Sequence, residues 1–342
     1  MPAALPWFEQ GRHLLSVSQF HPGNLRDLFD LADAVDPIAK RQAVCTVLDG
    51  AVLGSLFFEP STRTRLSFES AFLRLGGEVT TTTGFTFSSM AKGESIADTS
   101  RVVSGYSDVL VVRHPDEGSV AQFAAAAIVP VINAGDGPGE HPSQALLDVY
   151  TLEKELAARG RVVDGSRIAI LGDLKYGRTV HSLLKLISLY RDLEFTLFAP
   201  AGLELPPTVE QLVVARGHEV RVADRAVDAV RGADAIYATR VQRERMSEEL
   251  SGTHAHGDLL NWSILAEADN LDTILMHPLP RDSRPDAYDL SNDVDDLPGL
   301  AIFHQTDNGL NIRMAIFLTA LGVSLEAVHL TTKQRPWKAT LR

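Results

Sequence analysis

The sequence predicts an α/β protein of two domains, each a mostly parallel sheet flanked by helices, with helices linking the domains. The chain has 342 residues, of which 45% are hydrophobic, which is enough for two buried cores. Strand-like and helix-like runs alternate along it, as in parallel sheets whose strands are joined by helices. We find no internal repeat and no low-complexity segment.

Strands and helices of the first half are indicated by apolar runs and by helical spacing. The apolar run 51–58 predicts a buried strand. Apolar residues then recur at the i, i+3, i+4, i+7 spacing of a helix from Phe68 to Leu75, so this helix begins close to Ser61. A second apolar strand is predicted at 109–112.

The second half shows the same alternation. Residues 167–171 predict a short buried strand, followed by a glycine-bounded loop at 172–177 and a helix with its apolar face in 180–187. Further strands are predicted at 195–199, 219–222, 233–239 and 273–276.

The domain boundary is predicted from a helix at 144–158, which we interpret as a bridge between two α/β domains. The first domain is then 1–150 and the second 151–307. The last residues, 331–342, carry four basic side chains without apolar periodicity, which predicts a mobile tail.

Composition excludes several functional classes. The net charge of −12 argues against a binder of nucleic acid or of membrane surfaces. The single cysteine, Cys45, excludes an intramolecular disulfide and a multi-cysteine metal site, and the histidines and carboxylates near the polar motifs lack a metal-ligand pattern. No run reaches the roughly 18 apolar residues of a membrane span and no signal segment is recognised, so the cytoplasm is predicted.

A phosphate site is predicted where the first strand meets its helix. Ser61, Thr62 and Thr64 supply hydroxyl groups and Arg63 supplies a planar cation beside the backbone N–H groups of a helix start, which favour anions. A serine N-cap usually caps a helix and nothing more, but that interpretation does not cover the whole cluster.

Four further polar segments stand at predicted strand ends or loops: 88–95, 113–115, 141–144 and 277–281. Lys92 lies in a polar loop, and Arg113 stands at the carboxyl end of a strand. His141 and Gln144 can donate hydrogen bonds, and the two prolines of 277–281 hold backbone carbonyls in a stiff, non-helical path. Each segment alone also fits an ordinary loop, a surface arginine, a structural histidine or a rigid turn.

Together these segments resemble the aspartate branch of the aspartate/ornithine carbamoyltransferase family over 14–330. Six ordered motifs carry the resemblance: FFEPSTRTRLSFE at 57–69, KGES at 92–95, RHP at 113–115, NAGDG to HPSQALLD at 133–148, GDLKYGRTVHSL at 172–183 with TRVQRER at 239–245, and HPLPR at 277–281. The resemblance implies transfer of the carbamoyl group of carbamoyl phosphate to the α-amino group of L-aspartate, the committed step of de novo pyrimidine (UMP) biosynthesis.

The resemblance also implies a role for each residue. Residues 1–150 would bind carbamoyl phosphate, 151–307 would bind aspartate, and a C-terminal helix at about 308–330 would pack back on the first domain. The implied carbamoyl-phosphate ligands are Ser61, Thr62, Arg63, Thr64, Arg113, His141, Gln144, Leu279 and Pro280. The implied aspartate ligands are Lys92, Arg178, Arg240 and Gln242. The implied catalytic residues are Arg63, Thr64, Arg113, His141 and Lys92.

The family's assembly is a cyclic homotrimer, which implies that Ser88 and Lys92 enter the site of the neighbouring subunit. The sequence leaves open whether a regulatory chain or a dihydroorotase-like partner binds. Neither a cofactor nor a metal is implied, because the amine attacks directly and no covalent nucleophile is needed.

Three alternative functions agree less well with the sequence than aspartate carbamoylation does. The ornithine branch of the family has an HCLP-type motif at the position where this chain has HPLP. In addition, Arg178 and Arg240 suit a dicarboxylate substrate better than one with a cationic side chain. A dinucleotide-binding protein needs a G-x-G-x-x-G spacing that 172–177 does not provide. A catalytically silent scaffold would not need the complete set of motifs. The segment 282–288 departs from the family pattern.

Overall fold

The computed structural model describes residues 13–84, 93–241, 259–282, 284 and 289–337. The chain divides into two compact units, Met1–Ser143 with Asp307–Arg342, and Gln144–Thr306. The first boundary therefore falls earlier than the sequence-based boundary at 150.

The helices of the described residues are α1 (Pro22–Ala34), α2 (Asp36–Ala39), α3 (Thr62–Arg74), α4 (Ile96–Ser104), α5 (Ser119–Ala126), α6 (Pro142–Ala158), α7 (Arg178–Ile187), α8 (Pro207–Ala215), α9 (Ala226–Val230), α10 (Trp262–Glu267), α11 (Ile302–Ala320) and α12 (Leu325–Thr331). Their strands are β1 (Ala43–Cys45), β2 (Val52–Phe57), β3 (Glu78–Thr83), β4 (Val109–His114), β5 (Val131–Asp136), β6 (Arg167–Gly172), β7 (Glu194–Phe198), β8 (Glu219–Val222), β9 (Ala235–Thr239), β10 (Ile274–Met276) and β11 (Thr332–Gln334). Helices α6 and α11 each contain a boundary between the units.

The first unit is built on a four-stranded sheet in the order β3-β2-β4-β5. All its strand pairs are parallel, which confirms the predicted α/β class. Strands β2 and β4 are almost wholly buried, as their continuous apolar runs predict. Strand β3 was not predicted, because it lies at the sheet edge and consists largely of threonine.

Aromatic packing joins α11 to α3 within the first unit. The ring of Phe317 lies 5.8 Å from that of Phe68 and 4.9 Å from that of Phe72, both in edge-to-face geometry.

The sequence predicts one helix over 308–330, whereas the chain forms two, because Gly322 takes a positive φ of 67° and Ser324 caps a new helix. Within the described residues no single helix has the length and hydropathy to cross a membrane, although α11 and α12 meet those criteria as a pair bent by 114°.

The prediction of a mobile tail at 331–342 is wrong for its first residues. Strand β11 pairs antiparallel with β1, with Val44 opposite Lys333. The pairing depends on backbone hydrogen bonds rather than on an apolar face, so no periodicity in the sequence could have indicated it. Residues 338–342 lie outside the described part of the chain.

The second unit is built on a five-stranded parallel sheet in the order β10-β9-β6-β7-β8. Its core holds side chains of β6, β9 and β10 together with those of α9 and α10. Because all five strands are parallel, the loops that leave their carboxyl ends emerge at one edge, which is where open α/β sheets bind ligands.

Candidate active site

In the first unit, three predicted site segments follow neighbouring strands. The 61–64 cluster follows β2, Arg113 lies in β4 opposite Phe57 of β2, and His141 follows β5. Because β2, β4 and β5 are adjacent and parallel, their carboxyl ends form one edge of the sheet. The first unit therefore places these segments at the same edge.

The start of α3 has the geometry of an anion site. Ser61 is the N-cap residue, as predicted, with extended backbone at φ −161° and ψ 93°. Its side chain makes no capping hydrogen bond, so the hydroxyl does not compete with an anion for the first backbone N–H groups of the helix. Thr64 is buried in the first turn of the helix.

Arg113 is held in place by two acceptors. Its Nε donates to Glu59 Oε2 at 2.9 Å, and its Nη1 donates to the carbonyl oxygen of Ala134 at 3.4 Å. The side chain is only 11% exposed, so the ion pair with Glu59 is shielded from water. Glu59 was not assigned a role from the sequence, although this residue stands inside the phosphate motif.

The loop before His141 is fixed by Asp136 and by glycine. The Asp136 carboxylate accepts the backbone N–H groups of Gly118 at 3.1 Å and Glu140 at 3.0 Å. Gly137 has a φ of 51°, and a Cβ atom there would lie 2.3 Å from a backbone carbonyl oxygen of the 113–115 segment, so only glycine fits. His141, which follows this loop, is buried.

In the second unit, the predicted aspartate ligands follow two adjacent strands. Arg178 begins α7 after the loop that leaves β6, and Arg240 comes directly after β9. The two strand ends approach closely, because a Cβ atom at Gly172 would lie 1.9 Å from the carbonyl oxygen of Thr239. The loop is tightened further by Asp173, whose Oδ1 accepts the N–H of Tyr176 at 2.8 Å.

The charge of Arg240 also contributes to the low pKa of Asp282, the residue that follows the 277–281 motif. The pKa of Asp282 is lowered to about 2, first by its hydrogen bond from Arg284 and also by the charge of Arg240. Of the segment 282–288, whose shape the sequence leaves open, only Asp282 and Arg284 belong to the described residues.

The 277–281 segment follows β10, next to β9, and its backbone is held by a buried histidine. His277 Nδ1 accepts the N–H of Leu279 at 2.9 Å, which places the ring proton on Nε2, 3.0 Å from Asp289 Oδ1. Leu279 has a φ of 56°, and its peptide bond to Pro280 is cis. The second oxygen of Asp289 accepts the N–H of Asp282 at 2.7 Å.

Gln144 belongs to a buried polar network in the second unit. Asp148, one helical turn later, accepts from Gln144 Nε2 at 2.8 Å, from Gln305 Nε2 at 2.5 Å and from the Tyr237 hydroxyl at 2.8 Å. Burial, together with Asp148, raises the pKa of Tyr237 well above its usual value. Neither Asp148 nor Gln305 was assigned a role from the sequence; the i, i+4 spacing of Gln144 and Asp148 inside one motif was the available signal.

Three predicted site residues, Ser88, Lys92 and Gln242, lie outside the described residues. In the part of the chain that is described, no group of three or more histidine, cysteine, aspartate or glutamate side chains is arranged to hold a metal ion.

Comparison with known families gives two adjoining matches. Residues 12–154 match the carbamoyl-P binding domain of aspartate/ornithine carbamoyltransferase, and residues 164–320 match the Asp/Orn binding domain of the same family. The chain is 52% identical over 314 residues to an aspartate carbamoyltransferase catalytic subunit of Dichelobacter nodosus, covering 92% of this chain and 90% of the relative.

Solved structures agree with these matches. An aspartate transcarbamoylase of Trypanosoma cruzi in complex with carbamoyl phosphate superposes with a TM-score of 0.80 at 36% identity, covering 91% of this chain and 96% of that one. The catalytic subunit of the Methanocaldococcus jannaschii enzyme gives a TM-score of 0.77 at 39% identity, covering 90% of this chain and 96% of that one.

Proposed function

Since this chain belongs to the aspartate/ornithine carbamoyltransferase family, we propose that it carbamoylates L-aspartate with carbamoyl phosphate. The products are N-carbamoyl-L-aspartate and phosphate, and the reaction is the committed step of pyrimidine biosynthesis. The observation that carries the choice of acceptor is the pair Arg178 and Arg240, which follow adjacent strands whose ends almost touch. Two guanidinium groups at one sheet edge suit a dicarboxylate, which each can bind through paired hydrogen bonds.

In the proposed site, the start of α3 holds the phosphate. Ser61, Thr62 and Thr64 donate hydroxyl and backbone N–H groups, and Arg63 bridges toward the oxygen that leaves with the phosphate. The uncapped geometry of Ser61 supports this role, because its hydroxyl is not used by the helix.

The carbonyl oxygen of the carbamoyl group gains negative charge as the amine attacks. We assign Thr64, Arg113 and His141 as the donors that stabilise this charge. The ion pair between Arg113 and Glu59 supports the assignment, because it fixes the guanidinium before substrate binds, so less reorganisation is needed in the transition state.

The carbamoyl amino group needs acceptors, which Gln144 and the backbone carbonyls of Leu279 and Pro280 supply in this proposal. Aspartate is held by Arg178, Arg240 and Gln242, with Lys92 as a further cation. The α-amine attacks the carbamoyl carbon, the bond from that carbon to the phosphate oxygen breaks, and the phosphate leaves with a proton. Positioning and electrostatic stabilisation supply the rate, without a covalent intermediate.

The chain is further proposed to act as a cyclic homotrimer in which each site takes Ser88 and Lys92 from a neighbour. A ring of this kind uses the same pair of surfaces at every interface and closes after three copies.

The activity itself is tested by product formation. The purified chain with carbamoyl phosphate and L-aspartate is expected to form N-carbamoyl-L-aspartate, and with L-ornithine in the same assay it is expected to form little or no citrulline. Citrulline as the main product would assign the chain to the ornithine branch. Absence of both products from a folded protein would favour a silent scaffold of the same fold.

Arg178→Ala and Arg240→Ala are expected to weaken aspartate selectively. Each variant loses one cation that faces a substrate carboxylate, so the KM for aspartate should rise by about tenfold or more, while calorimetry should show carbamoyl phosphate still binding to both.

Arg225→Ala is the matched control for these two variants. Arg225 belongs to the same unit but is exposed and pairs with Asp228, so its loss should leave the KM for aspartate unchanged. Loss of carbamoyl phosphate binding in both site variants would contradict the assignment of these two arginines to aspartate.

A further inference from the structure

Asp148 is a fully buried carboxylate at the centre of a hydrogen-bonded network. One oxygen, Oδ1, accepts from the side-chain amides of Gln144 and Gln305, and the other, Oδ2, accepts from the hydroxyl of Tyr237. Three donors converge on this carboxylate, so its ionised form acts only as an acceptor.

This arrangement determines the orientation of the side-chain amide of Gln144. A carboxylate that only accepts requires the Nε2 end of the amide to face Asp148, so the carbonyl oxygen Oε1 does not face Asp148. Gln144 is half-buried, in contrast to Asp148, so its outer end is within reach of a ligand. Asp148 therefore fixes the amide nitrogen of Gln144 and leaves its carbonyl oxygen as an acceptor.

The same oxygen of Asp148 reaches the second acceptor segment through Gln305. The amide nitrogen of Gln305 donates to Asp148, and its Oε1 accepts the backbone N–H of His277 at 3.0 Å. His277 in turn holds the N–H of Leu279 through Nδ1. One buried carboxylate thus orients the side chain of Gln144 and anchors the backbone from which the carbonyls of Leu279 and Pro280 project.

We propose that Asp148 is a positioning residue that makes the site select a carbamoyl group by its amino group. It does so by holding Gln144, and through Gln305 and His277 the 277–281 backbone, so that acceptor oxygens face the carbamoyl amino group. The inference rests on the proposed function, in which these groups bind the carbamoyl NH2. A site built from acceptors discriminates against an isosteric group that has no N–H to donate, because its buried acceptors would then stay unpaired.

Acetyl phosphate is the probe, since it replaces the amino group of carbamoyl phosphate with a methyl group of similar size. The measured quantity is the ratio of the two dissociation constants, obtained by calorimetry on the full-length protein. Asp148→Leu removes both acceptor oxygens at similar volume and is expected to reduce the preference for carbamoyl phosphate by about tenfold or more.

Two further variants separate orientation from general stability. Asp148→Asn keeps an oxygen toward the two glutamine amides and turns its NH2 toward Tyr237, whose hydroxyl can accept, so the preference should stay within about threefold of the original protein. In a double-mutant cycle, Asp148→Leu should have a smaller effect on the ratio once Gln144→Ala is present, and the remaining effect should be the part that acts through Gln305.

The outcomes are distinguishable. A purely structural role would weaken both ligands equally and leave the ratio unchanged in Asp148→Leu, which would overturn the inference while the original protein still makes carbamoyl aspartate. Failure of the original protein to prefer carbamoyl phosphate would also overturn the inference, whereas failure to form that product would overturn the proposed function instead. If Asp148→Leu does not fold, Gln305→Met decides: it breaks the link to His277, so the ratio should fall, and an unchanged ratio rejects the inference.

Discussion

Replacing Arg63 with alanine is expected to lower kcat by about 10²–10³-fold, with a much smaller effect on the binding of carbamoyl phosphate. The proposed contact of Arg63 is with the oxygen that gains charge as the phosphate leaves. An interaction that strengthens only in the transition state acts on kcat, whereas the hydroxyl and N–H groups at the start of α3 continue to bind the ground-state phosphate. Steady-state kinetics with both substrates saturating measure kcat, and calorimetry measures the binding.

Arg65→Ala is the matched control, because it removes the same side chain two positions later on the same helix. Arg65 lies 3.9 Å from Glu69, a weak ion pair with no role in the proposed chemistry, so kcat should change little. A kcat for Arg63→Ala close to that of the original protein, with only the KM for carbamoyl phosphate raised, would show that Arg63 binds the substrate without assisting the reaction.

The second large effect is expected from mixing two inactive proteins. Arg63→Ala and Lys92→Ala should each be nearly inactive alone, since each removes a cation from every site. Unfolded together in equal amounts and reassembled, they should recover roughly a quarter of the original activity if sites are shared in a three-fold ring.

The expected fraction follows from random assortment. In a cyclic trimer, each site takes Arg63 from one subunit and Lys92 from the next. About three quarters of randomly assembled trimers contain both variants, and each of these has one site in three with both native residues. Refolded samples of each variant alone are the control for recovery.

Two results of the mixing experiment would contradict the proposed shared site. If sizing of differently tagged chains shows that mixed trimers form while activity stays at the level of the single variants, Lys92 serves its own subunit. If mixed assemblies of another size form instead, the proposal of a trimer is wrong, whatever the activity of the mixture.

Much of the fold is encoded locally. Buried parallel strands such as β2, β4 and β6 are continuous apolar runs, and α3 and α7 show helical spacing, so their positions can be read from short windows of sequence. The elements that the sequence does not predict are those without such a signal. Strand β3 is polar because it lies at an edge, and β11 depends only on backbone pairing with a distant strand.

The candidate site likewise contains residues that a short window of sequence predicts and residues that it does not. The cluster at 61–64 is contiguous, so its place at a helix start could be predicted from the sequence and is confirmed. Its binding of phosphate belongs to the proposed function. The sequence by itself also predicts chemistry that depends on arginine, histidine and hydroxyl groups, since these are the residue types that the motifs contain.

Only the tertiary structure decided how each residue is held. Glu59 and Arg113 are far apart in the chain, and so are Asp148 and Gln305, yet both pairs are joined by hydrogen bonds of 2.9 Å or less. Strand order brings such residues together, and strand order depends on which surfaces pack best across the whole unit. Buried polar groups must find partners in that packed interior, and no short window of sequence contains both members of these pairs.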